Sequence, residues 1–172
     1  TNRNGIKALV LAPTRELSIQ IGESFAMFNK FTKLKHTVIF GGVSQGKQVD
    51  AIKAGIDIII ATPGRLLDLM NQGFVKLNQI EYLVLDEADN MLDIGFVHDI
   101  KRILKHVPAK RQTLFLSATM PPAIRKFAST ILQQPKEISV SPVSSTAETV
   151  KQAIYFVEKT DKVDFLLKLV KN

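Results

Sequence analysis

Three acids, Asp86, Glu87 and Asp89, stand within four residues directly behind the apolar run Ile80-Glu81-Tyr82-Leu83-Val84-Leu85. Carboxylates gathered this closely repel one another, so they need solvent or a counter-charge. A hydrated Mg²⁺ beside phosphates is one such counter-charge; an acidic loop in water is the plain alternative. Three more polar clusters also follow apolar runs: Pro13-Thr14-Arg15-Glu16, Thr62-Pro63-Gly64-Arg65 and Ser117-Ala118-Thr119. In the second of these, Thr62 has the character of a helix N-cap and Pro63 suits the first helical position. Free amides at such an end, with Gly64 allowing close approach and Arg65 nearby, make a phosphate seat. Arg15 either decorates a helix start or points to a bound anion, since a cation is the less favoured sign there. His36, His98 and His106 have no metal-ligand spacing.

The elements that must position these clusters follow from periodicity. Residues 6–12, 37–40, 56–61, 80–85, 112–116 and 137–140 read as strands, and between them lie helical patterns. One helix opens at Pro13-Thr14 with Leu17, Ile21, Phe25 and Phe28 on its apolar side. Another runs from Pro63 through Leu66, Leu67, Leu69 and Met70 to Gly73. A third spans residues 94–107 on Ile94, Val97, Ile100, Ile103 and Leu104, and a fourth spans residues 123–132. Met91, Leu92 and Phe96 read as docking residues. Strands alternating with helices predict a mainly parallel sheet covered on both faces, whose ligands bind at the carboxyl ends of the strands. All four polar clusters fall at that edge.

Composition sets the outer limits. The chain of 172 residues is 45% hydrophobic and has no Cys or Trp, so disulfides and thiolate metal centres are excluded. Its apolar runs are strand-sized, which predicts no membrane span and makes the cytoplasm the default compartment. The net charge of +7 favours a polyanionic partner. Its distribution is uneven: residues 1–49 carry seven Lys or Arg against two Glu, whereas residues 81–99 carry six acids and no Lys or Arg. Such a layout suits nucleic acid in one place and magnesium-nucleotide in another.

The segment Gly41-Gly42-Val43-Ser44-Gln45-Gly46-Lys47-Gln48 fits the phosphate-loop pattern except that Gln48 replaces the hydroxyl residue. The competing reading is a glycine-rich turn into a short helix through Val49, Ile52 and Lys53, stopped by Gly55.

Pro13-Thr14-Arg15-Glu16-Leu17 with Gln20, Gly41-Gly42, Thr62-Pro63-Gly64-Arg65, Asp86-Glu87-Ala88-Asp89 and Ser117-Ala118-Thr119, in this order, closely resemble the DEAD-box family of ATP-dependent RNA helicases. The resemblance covers the chain from about Lys7 onward. It implies a RecA-like three-layer α/β fold of the P-loop NTPase type, with ATP and Mg²⁺ as cofactors and RNA held mainly through its phosphate backbone. Asp86 would hold Mg²⁺ through its water shell, and Glu87 would orient and deprotonate the attacking water. Asp89 would partner Ser117 and Thr119, linking nucleotide state to domain closure. Thr14, Arg15, Gly42, Thr62, Gly64 and Arg65 would contact RNA. The Gly41-Gly42 pair corresponds to the family's double glycine beside RNA, which places the true phosphate loop before Thr1. The expected activity is RNA-stimulated ATP hydrolysis driving RNA unwinding or RNP remodelling by the intact protein, with the 172 residues alone inactive. The rival reading is a non-enzymatic nucleic-acid-binding or interaction module.

The resemblance divides the chain into an incomplete first RecA-like domain at residues 1–140, a linker at 141–149 and the opening strand and helix of a second domain at 150–172. A first domain short of its phosphate-loop strand predicts a gap in the sheet or an exposed edge. The tail, with alternation over residues 150–157 and Val163, Leu166, Leu167 and Val170 on one helix face, is then expected to pack on a first domain. Packing on a neighbouring chain would give a strand-swapped homodimer.

Overall fold

The computed structural model describes residues 5–140 and 153–170, in two compact units, Thr1–Ile138 and Ser139–Asn172. The first unit holds strands β1 (Ala8–Leu11), β2 (His36–Ile39), β3 (Ile58–Ala61), β4 (Tyr82–Leu85) and β5 (Gln112–Phe115) in one parallel sheet of order β2-β3-β1-β4-β5. Its helices are α1 (Arg15–Phe28), α2 (Gly46–Lys53), α3 (Pro63–Asn71), α4 (Ala88–Asp93), α5 (Val97–Leu104) and α6 (Pro122–Ser129). The second unit contains α7 (Lys162–Val170).

Alternation along each strand sorts the side chains into two packing layers. Leu9, Leu11, Ile59, Ala61, Leu83 and Leu85 point into the larger cluster, where Leu66 and Leu69 of α3, Met91 of α4, Ile100 and Ile103 of α5 and Phe127 of α6 cover them. Val10, Ile58 and Ile60 point the other way, against Ile21 and Phe25 of α1. The result is the three-layer arrangement expected for a parallel sheet. On the α1 side the cover thins toward β5, where Leu114 and Leu116 are exposed. Strands β2 and β5 are the two edges of this sheet.

Several boundaries differ from the periodic reading. Residues 137–140 form no strand: Ile138 and Val140 lie in solvent, and β-propensity alone, without packing against a sheet, does not make a ladder. The helix expected over residues 94–107 starts at Val97, because Gly95 takes φ 96° and ends α4, with Phe96 donating its N–H back to the Met91 carbonyl. Met91, Leu92 and Asp93 are therefore helical. On α1, Ser18 and Gly22 are the buried positions and Phe28 is exposed. Residues 153–157, part of the expected tail strand, carry no assigned strand. The linker and residues 150–152 lie outside the described residues. The tail helix α7 does form; Val163, Leu166, Leu167 and Val170 are exposed, while Phe165 is half-buried with its ring 5.1 Å from that of Tyr155.

Gly22 marks the closest approach of α1 to the sheet, since a methyl added there would run into the Val38 side chain of β2. Gly→Ala inside a helix ordinarily stabilises by about 1 kcal/mol. Here we expect the opposite sign, a loss of about 1–3 kcal/mol in urea unfolding, with partial recovery when Val38→Ala is added.

Candidate functional site

The parallel register brings the ends of β1, β3, β4 and β5 to one level, and hydrogen bonds carry the ladder one step beyond the strands. Ala12 donates to Ala61, Thr62 to Ile39, Asp86 to Leu11 and Leu116 to Leu85, all at 2.9–3.0 Å. The loops carrying the polar clusters therefore leave the sheet together.

At the β4 exit the backbone turns sharply. Glu87 is left-handed, φ 48° and ψ 54°, a conformation that costs a non-glycine residue roughly 1–2 kcal/mol. Three bonds hold it: the Glu87 N–H donates to Asp86 Oδ1 (3.0 Å), the Ala88 N–H to the Leu116 carbonyl (3.0 Å), and Asn90 Nδ2 to Glu87 Oε2 (3.0 Å). Asp86 and Glu87 thus keep free carboxylate oxygens at the sheet edge. Among the described residues no group of three or more His, Asp or Glu is arranged to enclose a metal. Two acids with spare oxygens instead fit an ion that retains its water and shares phosphate ligands, as Mg²⁺ does.

Asp89 joins this loop to the β5 exit. Its Oδ2 accepts the Thr119 N–H at 2.9 Å and the Thr119 hydroxyl at 2.8 Å, while the Ser117 hydroxyl donates to the Thr119 carbonyl at 2.7 Å. Partial burial pushes the Asp89 carboxyl upward. The hydrogen bonds from Thr119, with lesser ones from Ser117 and the Asn90 amide, outweigh it and hold Asp89 below the ordinary carboxylate range.

The basic side is built on α1, α3 and the loop after β2. Thr14 caps α1, its hydroxyl accepting the Leu17 N–H at 3.2 Å. Arg15 is paired with Glu16 at 3.2 Å, so its cation at the helix start has a local counter-charge. Glu16 is held below its usual value, first by its own backbone N–H and then by Arg15. Thr62 occupies the N-cap position of α3 with Pro63 behind it, but its hydroxyl makes no cap bond. Above Gly42 (φ 81°) and Gly64 there is open space. Arg65 reaches across to donate to the Val43 carbonyl at 3.2 Å and sits 3.8 Å from Asp68, yet its Nη1 is buried without a partner among the described residues. A buried, unpaired donor on a charged group is costly, so Arg65 invites an acceptor.

The Gly41–Lys47 turn runs directly into α2, whose first residues are Gly46 and Lys47. Gln48, at the hydroxyl position, is buried and donates to the Phe40 carbonyl at 3.0 Å, bracing the turn from inside. A cleft of about 550 Å³ lies at the opposite end of the strands and includes none of these residues. The candidate site is an open shelf.

The family model described as DEAD/DEAH box helicase matches residues 1–127. The chain belongs to the DEAD/DEAH box helicase family. It is 42% identical over 170 residues to the DEAD-box ATP-dependent RNA helicase CshA of Streptococcus pneumoniae, covering 99% of this chain and 32% of that protein. It is 40% identical over 168 residues to the ATP-dependent RNA helicase RhlB of Pasteurella multocida, covering 96% of this chain and 40% of the relative. A solved S. cerevisiae Dbp5 variant bound to Nup159, Gle1, IP6 and ADP superposes with a TM-score of 0.66 at 36% identity, over 74% of this chain and 33% of that one. The family likeness and the parallel sheet establish the RecA-like fold. The chain spans about a third of the length of such relatives.

All four sheet-edge clusters and the double glycine meet at this edge. Sequence reasoning missed Asn90 and Gln48. Asn90 sits three residues beyond Glu87 on a nascent helix, a spacing that allows the contact, while nothing in the sequence showed that Gln48 turns inward.

The Asp89 clip predicts a pH response. A carboxyl held low in the folded state contributes stability above its unfolded pKa and loses it as pH falls through the folded value. On acidification from about pH 6 to about pH 3, the melting temperature of the unaltered chain should fall more steeply than that of Asp89→Asn. Parallel curves would show that the clip carries no charge-dependent stability.

Proposed function

We propose that this chain is part of an ATP-dependent RNA helicase acting in the cytoplasm, and that the shelf at the carboxyl edge of the sheet is shared between magnesium-nucleotide and RNA phosphates. The observation that carries this reading is the levelling of the loops of residues 14–16, 62–65, 86–89 and 117–119 at one edge, with acids on the β4 side and Arg65 and open glycines on the other.

Bound ATP with Mg²⁺ supplies the terminal phosphoryl group and a charge that offsets the acids. Asp86 would hold the metal through its water shell. Glu87 orients the attacking water and takes its proton, and Asn90 keeps that carboxylate in place. Phosphoryl transfer depends on positioning and charge neutralisation, which are the services these residues can give. Asp89, clipped to Thr119 and braced by Ser117, couples the nucleotide loop to the β5 exit. Thr14, Arg15, Gly42, Thr62, Gly64 and Arg65 receive RNA phosphates, a mode that binds without reading sequence. Because the Gly41–Lys47 turn is braced inward, the 172 residues by themselves are proposed to bind RNA without hydrolysing ATP.

Two experiments test this. In the full-length protein, Glu87→Gln should lower the RNA-stimulated ATPase rate by about 10²-fold or more while nucleotide still binds; an unchanged rate would remove Glu87 from the chemistry. In the chain itself, RNA binding should be weak, similar across unrelated sequences and steeply weakened by salt. The double change Arg15→Ala with Arg65→Ala should reduce it for every RNA tried, as read by filter binding. Salt-independent binding that survives the double change would place RNA elsewhere.

A further inference from the structure

The far end of α1 carries a surface that the shelf does not use. Met27, Phe28, Phe31 and Leu34 are 65%, 76%, 93% and 49% exposed. Their backbone is nonetheless well tied. The Asn29 side-chain amide donates to the Leu34 carbonyl, and the Thr32 N–H donates to the Asn29 carbonyl at 3.0 Å. The Leu34 N–H donates to the Thr32 hydroxyl at 3.3 Å, and the Lys35 N–H donates to the Asp57 carboxylate at 2.7 Å. Polar groups thus fix the turn from within while aromatic and aliphatic side chains face water. A clustered exposed apolar patch on a folded unit marks a binding surface.

The charge of the patch narrows the ligand. From residue 24 to residue 49 the chain has Lys30, Lys33, Lys35 and Lys47 and no Asp or Glu. Phe28, Lys30, Phe31, Lys33, Leu34 and Lys35 interleave flat or apolar side chains with ammonium groups. A single nucleic-acid strand alternates planar bases with phosphates in the same way, and platforms for it combine exposed rings with cations. An acidic peptide would satisfy the lysines but would have no particular use for two solitary, almost fully solvated rings.

We propose that the turn of residues 28–35 is a second contact for single-stranded RNA, with bases stacking on Phe28 and Phe31 and phosphates meeting Lys30 and Lys35. The proposal rests on the reading of the chain as an RNA-handling protein, but it uses different residues. The 14 residues of α1 span about 21 Å, so the turn lies a helix length from Arg15. It would hold an unpaired extension of the RNA whose body occupies the shelf.

The test measures fluorescence anisotropy of a labelled uridine oligomer of roughly 16 nucleotides and of an abasic strand of the same length, with the 172-residue chain. Phe28→Ala with Phe31→Ala should weaken uridine binding about tenfold and leave abasic binding nearly unchanged. Tyr at both positions should restore it, and the same factor should recur in a chain already carrying Arg15→Ala and Arg65→Ala. Unchanged uridine binding in the double Ala chain overturns the proposal, as does equal loss on both strands. It also fails if an acidic peptide or anionic vesicles, but not RNA, protect residues 28–35 from hydrogen exchange. If the Phe changes act and the Arg changes do not, the shelf reading fails and this one stands; the reverse result sinks this one alone.

Discussion

Everything at the sheet edge depends on one register. Ala8, His36, Ile58, Tyr82 and Gln112 share a level at the start of the strands, and Leu11, Ile39, Ala61, Leu85 and Phe115 share one at the end. A one-residue slip of any strand would turn its core side chains to the wrong layer, so burial of Leu9, Ile59 and Leu83 enforces the alignment. The polar loops inherit it. Asp86 stands level with Ala12 because its N–H continues the ladder onto Leu11, and Thr62 does the same on Ile39. Hydrophobic packing inside the sheet thereby fixes the relative heights of charged groups that never touch one another.

Local strain is accepted where that scheme needs a sharp change of direction. Glu87 takes a left-handed backbone so that the chain can leave β4 and begin α4 within two residues. The Ala88 N–H then reaches the Leu116 carbonyl, and Asp89 reaches Thr119, so the acidic loop is fastened twice to the β5 exit. Movement of residues 116–119 would be transmitted to Glu87 through these bonds. Such an arrangement has the two ingredients of a coupled site, a strained residue and a clip to a neighbouring loop.

The strands that carry motifs were legible because each pairs a buried apolar run with an abrupt polar exit, and their shared edge follows from the alternation with helices. Residues 137–140 alternate polar and apolar side chains but join no ladder of the sheet, and pairing is not written in a strand's own residues. The start of α5 was obscured because Ile94 fits the helical period, whereas the positive φ at Gly95 interrupts it. Phe28 likewise fits the period of α1, yet it is exposed at the end of the helix. In the site, residue types announced the carboxylates and the glycines. The unpaired nitrogen of Arg65 and the inward turn of Gln48 depend on contacts between segments distant in sequence, which no local pattern encodes.

The two arginines of the basic side are prepared differently. Arg65 is largely covered, its guanidinium oriented by the Val43 carbonyl and the nearby Asp68, and one nitrogen is left wanting an acceptor. Arg15 is half exposed and lies against Glu16 on the same turn. A phosphate at Arg65 would fill an existing deficit and need little reordering, so its contribution falls on preorganised binding. A phosphate at Arg15 must compete with Glu16, and the exchange of one exposed anion for another yields little net Coulomb energy in water. On the proposed reading Arg65 would be the anchor of the basic side. Arg15 would act chiefly by widening the positive surface that an approaching strand would meet, an effect that salt screens.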